Sequence, residues 1–256
     1  MLILHSVDYG PKDAGQSVVF LGSIASTSDM WLPQLDTLSH NHRVIALDHR
    51  GHGRSADPQV TPGNSTFDDL TTDVLETLDS INVNNFAVVG LSLGGAIAQY
   101  LAATSNRVTK AAFLCTAAYF GGPNKWLPRA ELTRAQGLAP MVDNIVNLWF
   151  TEQFRSANPA TIDDYRRMIL TTRGTGYASC SDALATWDFR NRLNDITVPV
   201  LTLAGDQDQS TPPPALEEIA AGVSGPVTKV VVSPGAHVPT IEVPDQVNQA
   251  LAKFLA

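Results

Sequence analysis

Cysteine is scarce: Cys115 and Cys180 are the only two in 256 residues. That excludes a disulfide-built scaffold and leaves one bridge arithmetically possible; the expectation is two reduced, buried thiols in a cytoplasmic protein. Long apolar runs are missing too, none approaching the roughly 20 residues a bilayer span needs. No membrane association is therefore expected. The first residues, Met1-Leu2-Ile3-Leu4-His5, have neither the basic start nor the extended apolar core of a secretory leader. Positive charge is in deficit, with 17 Lys+Arg against 25 Asp+Glu and a net charge of -8. Such a surface repels phosphate backbones and argues against a nucleic-acid partner. An anionic small molecule stays admissible only where a pocket sets local positive charge or amide dipoles against the global field. Repeats and low-complexity tracts are also absent. The oligomeric state leaves no mark in the sequence.

What is present is an ordinary globular balance, 44% hydrophobic and 16% charged, enough to fill a sizeable core. Short apolar runs bounded by polar residues or glycine read as strands at residues 17–22, 42–48, 85–91 and 109–115, with an edge strand at 2–9. Between them, Leu70, Val74, Leu75, Leu78 and Ile81 recur at near-helical spacing. Ser65 or Thr66 offers an N-cap there, and Asp68 and Asp69 suit the positive end of the helix. Residues 93–103 are small and apolar, as befits a helix buried against a sheet. Strand-helix alternation of this kind implies an α/β fold with a mainly parallel sheet covered on both faces. The pattern breaks near Tyr119, where helical segments punctuated by Gly and Pro run to about residue 190. Strands resume at 198–205 and 227–232, and a helix over 245–256 closes the chain. The expected organisation is a core of residues 1–118 and 191–256 with a helical lid, 119–190, over the carboxyl edge of the sheet, where open α/β folds bind ligands. An independent second domain is the alternative; the return to the same strand pattern without a linker favours the lid.

Gly90-Leu91-Ser92-Leu93-Gly94 is a G-x-S-x-G string lying between an apolar strand and an apolar helix. That is the setting of a nucleophile elbow, in which a tight turn exposes the serine hydroxyl. A serine needs a base to become a useful nucleophile. Of six histidines, only His237 falls in a loop between the last strand and the last helix. An imidazole base in turn needs a carboxylate to hold its tautomer; Asp206 and Asp208, after the penultimate strand, are the candidates. His49 and His52 have a spacing that suits a metal, but no Cys or carboxylate cluster completes a site. They read as parts of a structural turn, and neither a metal nor a cofactor is expected. Trp126, Trp149 and Trp187 fall in the lid, as packing residues or as pocket lining. Lys125, Arg129 and Arg134 are lid cations that either greet an anionic substrate or are simply solvated.

This set resembles the α/β-hydrolase superfamily over essentially the whole chain. Within it, the chain is similar to the 3-oxoadipate enol-lactone hydrolases. Residues Ser28-Asp29-Met30-Trp31, the turn from Asp48 to Ser55 and the stretch from Gly205 to Pro213 carry the broader likeness. Trp149-Phe150-Thr151 with Phe154, and Gly176-Tyr177-Ala178 leading to Asp188-Phe189-Arg190, carry the narrower one. The absence of a histidine before Gly22 also fits that family. The resemblance implies Ser92 as nucleophile, His237 as base and Asp208, three residues past Gly205, as the acid that orients it; Asp206 then supports the loop. It implies an oxyanion hole from the Ser23 and Leu93 amides, and a pocket touched by Ile24, Trp126 and Trp149.

The chemistry so implied is opening of 3-oxoadipate enol-lactone through an acyl-enzyme, within aromatic-compound catabolism. One departure stands out: the family often has arginine just before the lid tryptophan, and here that position is Leu148. Leu148 keeps open a carboxylesterase or perhydrolase acting on another small ester or lactone. A non-catalytic binding protein that retains the same residues is the remaining alternative.

Overall fold

In a computed structural model, which describes residues 2–13 and 15–256, the apolar runs form one seven-stranded sheet. Its strands are β1 (Ser6–Tyr9), β2 (Ser17–Leu21), β3 (Arg43–Leu47), β4 (Phe86–Leu91), β5 (Val108–Leu114), β6 (Val200–Gly205) and β7 (Val227–Val232). Their spatial order is β1-β3-β2-β4-β5-β6-β7. Only β1 runs antiparallel, against β3; the other pairings are parallel. Strands β3, β4 and β6 are buried along their whole length, which explains why they read as continuous apolar runs rather than alternating ones. The edge strands β1 and β7 are partly exposed.

Helices α1 (Leu32–Leu38), α2 (Phe67–Ser80) and α3 (Leu93–Thr104) connect the first strands. The start of α2 is fixed by a reciprocal cap: the Thr66 hydroxyl accepts the Asp69 N–H, while the Asp69 carboxylate accepts the Thr66 N–H. This is the stabilising pattern in which two orphan amides are satisfied at once. Helix α3 is buried on almost every face, so its small residues let it lie close on the sheet.

Between β5 and β6 come five α-helices and no named strand: α4 (Pro123–Gln136), α5 (Val142–Trp149), α6 (Glu152–Ala157), α7 (Pro159–Thr171) and α8 (Gly174–Ala185). The two ends of this insertion are joined by an antiparallel bridge between Tyr119 and Asp188 and by the Phe189 N–H donating to the Ala118 carbonyl at 2.8 Å. The chain ends with α9 (Pro213–Gly222), α10 (Pro239–Glu242) and α11 (Pro244–Leu255). Cys115 and Cys180 are unpaired and buried; burial pushes both thiols up, that of Cys180 to about 12. Among the described residues, no helix is long and apolar enough to cross a membrane.

The register decides where the chemistry falls. Leu21 pairs with Gly90, Leu91 with Leu114, Leu114 with Leu203, and Gly205 with Val232. The residues just past the carboxyl ends of β2, β4, β6 and β7 therefore share one edge of the sheet. The connection leaving β2 runs to β3 on one side and that leaving β4 runs to β5 on the other, so the crevice at that edge opens between β2 and β4.

Candidate active site

Ser92 caps the N-terminus of α3 with φ 58° and ψ −115°, a left-handed region that L-residues adopt only when their surroundings enforce it. The enforcement is visible. A Cβ at Gly90 would lie 2.1 Å from the Gly94 carbonyl oxygen, and one at Gly94 would lie 2.0 Å from the Leu21 carbonyl oxygen. Strand, elbow and helix thus approach one another as backbones alone. The Ser92 N–H donates to the Leu114 carbonyl at 3.0 Å, and the Thr116 hydroxyl donates to the Ser92 carbonyl at 2.7 Å.

His237 follows β7, and its ring Nδ1 lies 2.8 Å from Asp208 Oδ2; both residues are buried. The Asp208 carboxylate also accepts the Ser210 and Thr211 amides, at 2.8 and 3.1 Å, and the Thr211 hydroxyl at 2.8 Å. Burial pushes this carboxyl up. The charge and hydrogen bond of His237 and the Thr211 donors outweigh that push and hold it below the ordinary range. Asp206 is exposed and turns elsewhere, accepting from the Ser233 hydroxyl at 2.6 Å and the Gly235 amide at 2.9 Å. Ser92 and His237 line one cavity. Among the described residues, no hydrogen bond joins the serine hydroxyl to the ring; such contacts often tighten only when substrate arrives.

The loop after β2 is fastened to the elbow by the Gly94 N–H, which donates to Gly22 O at 3.0 Å. His49 and His52 hold the same loop from behind. The His49 Nε2–H donates to Gly22 O at 2.8 Å. His52 Nε2 accepts the Ala25 amide at 3.0 Å, and its Nδ1–H donates to Arg50 O at 2.9 Å. Burial first, then the neighbouring His49, lowers the His52 pKa to about 3, so the ring works neutral. The Ser23 N–H has a partner the sequence did not suggest, the Met30 thioether sulfur at 3.3 Å. The Leu93 amide begins α3, where N–H groups lack intrahelical acceptors.

The cavity measures about 150 Å³, a volume comparable to one known to hold benzene. Ser23, Ile24, Trp126 and Trp149 line it, as does Leu148. Trp187 does not; its indole N–H donates to Ala117 O at 3.2 Å and its ring stacks on Phe189 at the neck of the insertion. Lys125 and Arg129, one helical turn apart on α4, also line the cavity. Their cationic heads lie 5.7 and 4.9 Å from the centre of the Trp126 ring. Among the described residues neither forms an ion pair, whereas Arg134 is paired with Asp182. Burial, then the Arg129 charge, lowers the Lys125 pKa. The i, i+4 spacing of these two cations was the signal in the sequence; their direction was not.

The family model for the α/β hydrolase fold matches residues 16–244, and the chain belongs to that family. It is an ester-cleaving hydrolase. It is 31% identical to 3-oxoadipate enol-lactonase 2 of Acinetobacter baylyi over 97% of this chain and 91% of that one. The crystal structure of the enol-lactonase from Burkholderia xenovorans LB400 superposes with a TM-score of 0.93 at 31% identity, covering 98% of this chain and 96% of that one. A malate-bound thermophilic esterase from Thermogutta terrifontis superposes at 0.90 and 27% identity, covering 99% and 93%.

Proposed function

We propose that this hydrolase opens a small lactone bearing a carboxylate, with 3-oxoadipate enol-lactone as substrate, through an acyl-enzyme on Ser92. The observation that carries the reading is the pair of unpaired cations, Lys125 and Arg129, in the same cavity as Ser92 and His237. In a chain of net charge -8, two cations left unneutralised beside a nucleophile supply the local field an anionic substrate needs. The similarity to enol-lactonases supports the particular lactone. The malate bound by the related esterase supports a carboxylate-binding pocket in this part of the family.

In this reading, Ser92 Oγ attacks the lactone carbonyl as His237 Nε2 takes its proton, and Asp208 stabilises the imidazolium. The oxyanion takes the Leu93 and Ser23 amides; a full negative charge displaces the Met30 sulfur, a weak acceptor, from the latter. Each amide contributes about 3 kcal/mol to the transition state. The ring C–O bond then breaks. The enol oxygen leaves with the proton from His237 and tautomerises to the ketone, while the whole skeleton stays on Ser92 as an ester. His237 next draws a proton from water, which attacks the ester, and Ser92 departs reprotonated as 3-oxoadipate is released. Residues 119–190 act as the lid, and the enzyme works in the cytoplasm in the breakdown of aromatic compounds.

The test is hydrolysis of 3-oxoadipate enol-lactone by the purified protein. The expected kcat/KM exceeds about 10⁴ M⁻¹s⁻¹, within the ordinary enzyme range, and vanishes in Ser92→Ala. Leu148 on the pocket wall favours one second reading, a carboxylesterase for another small carboxylate-bearing ester. Ready turnover of such esters with negligible turnover of the lactone would establish it.

A further inference from the structure

Both backbone neighbours of His237 are held by hydrogen bonds, and both lead to the same place. The Val238 N–H donates to Trp149 O, in the cavity wall, at 3.0 Å. The Ala236 N–H donates to Glu242 Oε2 at 2.6 Å. The other oxygen of that carboxylate, Oε1, accepts both the Thr151 N–H at 2.7 Å and the Thr151 hydroxyl at 2.9 Å. Thr151 also caps α6, accepting the Phe154 N–H. It stands two residues from Trp149. A single side chain therefore spans from the residue before the histidine to the foot of the inserted helices, across 91 positions of sequence.

Glu242 is half-buried, and its charge is costly there. Burial pushes its carboxyl up against the Ala236 and Thr151 donors and the charge of Arg155. Arg155 faces it from α6, and the buried Cys115 thiol faces it from the end of β5. Among the described residues it has no ion-pair partner. Its value lies in its acceptors: only an ionised carboxylate offers two oxygens to three donors. A glutamine has one acceptor oxygen, and its NH₂ must point at either the Ala236 or the Thr151 amide, donor against donor.

We propose that Glu242 is a positioning residue for the hydrolytic reaction, locking the His237 loop and the Trp149 wall of the cavity into one rigid unit. The proposal rests on the Ser92–His237 reading above. Losing the lock lets the imidazole drift from its line to Ser92, where a displacement of about 1 Å costs on the order of a hundredfold in rate. A merely structural role lowers the melting temperature and leaves the kinetic constants alone.

The test uses p-nitrophenyl acetate, which needs a working serine hydrolase but no particular acyl specificity, together with fluorophosphonate labelling of Ser92. Glu242→Gln, Thr151→Val and Thr151→Ser are compared with wild type well below their melting temperatures. Glu242→Gln is expected to lose about tenfold or more in kcat and to label more slowly by a similar factor. Thr151→Val, which removes the hydroxyl arm and with it the cap on α6 but leaves the Thr151 N–H arm in place, is expected to raise KM about threefold, and Thr151→Ser, which keeps both hydroxyl contacts, to restore it. Wild-type kcat and labelling rate in Glu242→Gln, whatever its melting temperature, overturn the proposal. If Glu242→Gln does not fold, identical KM in Thr151→Val and Thr151→Ser overturns it instead. A wild-type protein that neither turns over the ester nor takes the label refutes the serine-hydrolase reading, and the proposal with it.

Discussion

His237 Nδ1 lies 2.8 Å from Asp208 Oδ2, and the same carboxylate accepts three further hydrogen bonds from Ser210 and Thr211. The carboxylate is thus fixed independently of the ring, and with Nδ1 so engaged, Nε2 is the nitrogen that the proposed mechanism turns toward Ser92. Asp208→Asn keeps the shape but can stabilise the wrong tautomer. It is expected to lower kcat by about 10⁴, the scale known for such a swap, with KM little changed. Steady-state kinetics on any accepted ester checks this.

The same group makes stability depend on acid. The Asp208 carboxyl sits below its unfolded value, so its contribution is fully present above the ordinary carboxylate range near pH 4 and is lost as pH falls through the lowered folded value. Thermal melts of wild type and Asp208→Asn between neutral pH and about pH 3 are expected to converge as the pH drops. Parallel curves would contradict the linkage.

Lys125 and Arg129 give the sharpest check on substrate class. A charge-assisted hydrogen bond is worth about 1.5–3 kcal/mol, so Arg129→Ala is expected to raise KM for a carboxylate-bearing lactone or ester roughly 10- to 100-fold. For a neutral aryl acetate the change is expected to stay within about threefold. Equal losses on both substrates would mean that Arg129 supports the pocket through Trp126 rather than binding the anion.

Much of this was legible along the chain because the relevant forces act locally. The strands and α2 follow from runs and spacings within a few residues, and the Thr66–Asp69 cap spans only three. The elbow was legible for the same reason: glycine at 90 and 94 and serine at 92 are needed within one turn. What depended on packing between distant segments was hidden. Residue type alone does not distinguish Asp206 from Asp208; the family resemblance picked Asp208 by its distance from Gly205, and the physical reason lies in space, where Ser233 and Gly235 draw one away and His237 holds the other. Likewise, Met30 beneath the Ser23 amide and Glu242 beside Ala236 reveal themselves only once β2, α6 and α10 are set in space. The cations of α4 could be counted in the sequence but not aimed.

His52 supplies the last prediction. Its ring, fully buried between the Ala25 amide and the Arg50 carbonyl, has its pKa lowered by burial to about 3. Unfolded, the same ring protonates near pH 6.5. Between those two values the unfolded chain holds one proton more than the folded one, so folding loses about 1.4 kcal/mol per pH unit from this residue as pH falls. Above pH 6.5 the contribution is constant. His52→Gln carries no titrating ring there, so it is expected to be less stable than wild type at pH 8 and to lose less of its stability between pH 6.5 and pH 4.5. Urea unfolding at those three pH values measures the slopes. Because the same ring supports the loop that carries Ser23, the variant is also expected to lose kcat, and that loss is expected to be the same at pH 8 as at pH 7. A neutral prop is missing at both, whereas a proton donor lost from the reaction would give a deficit that changes with pH.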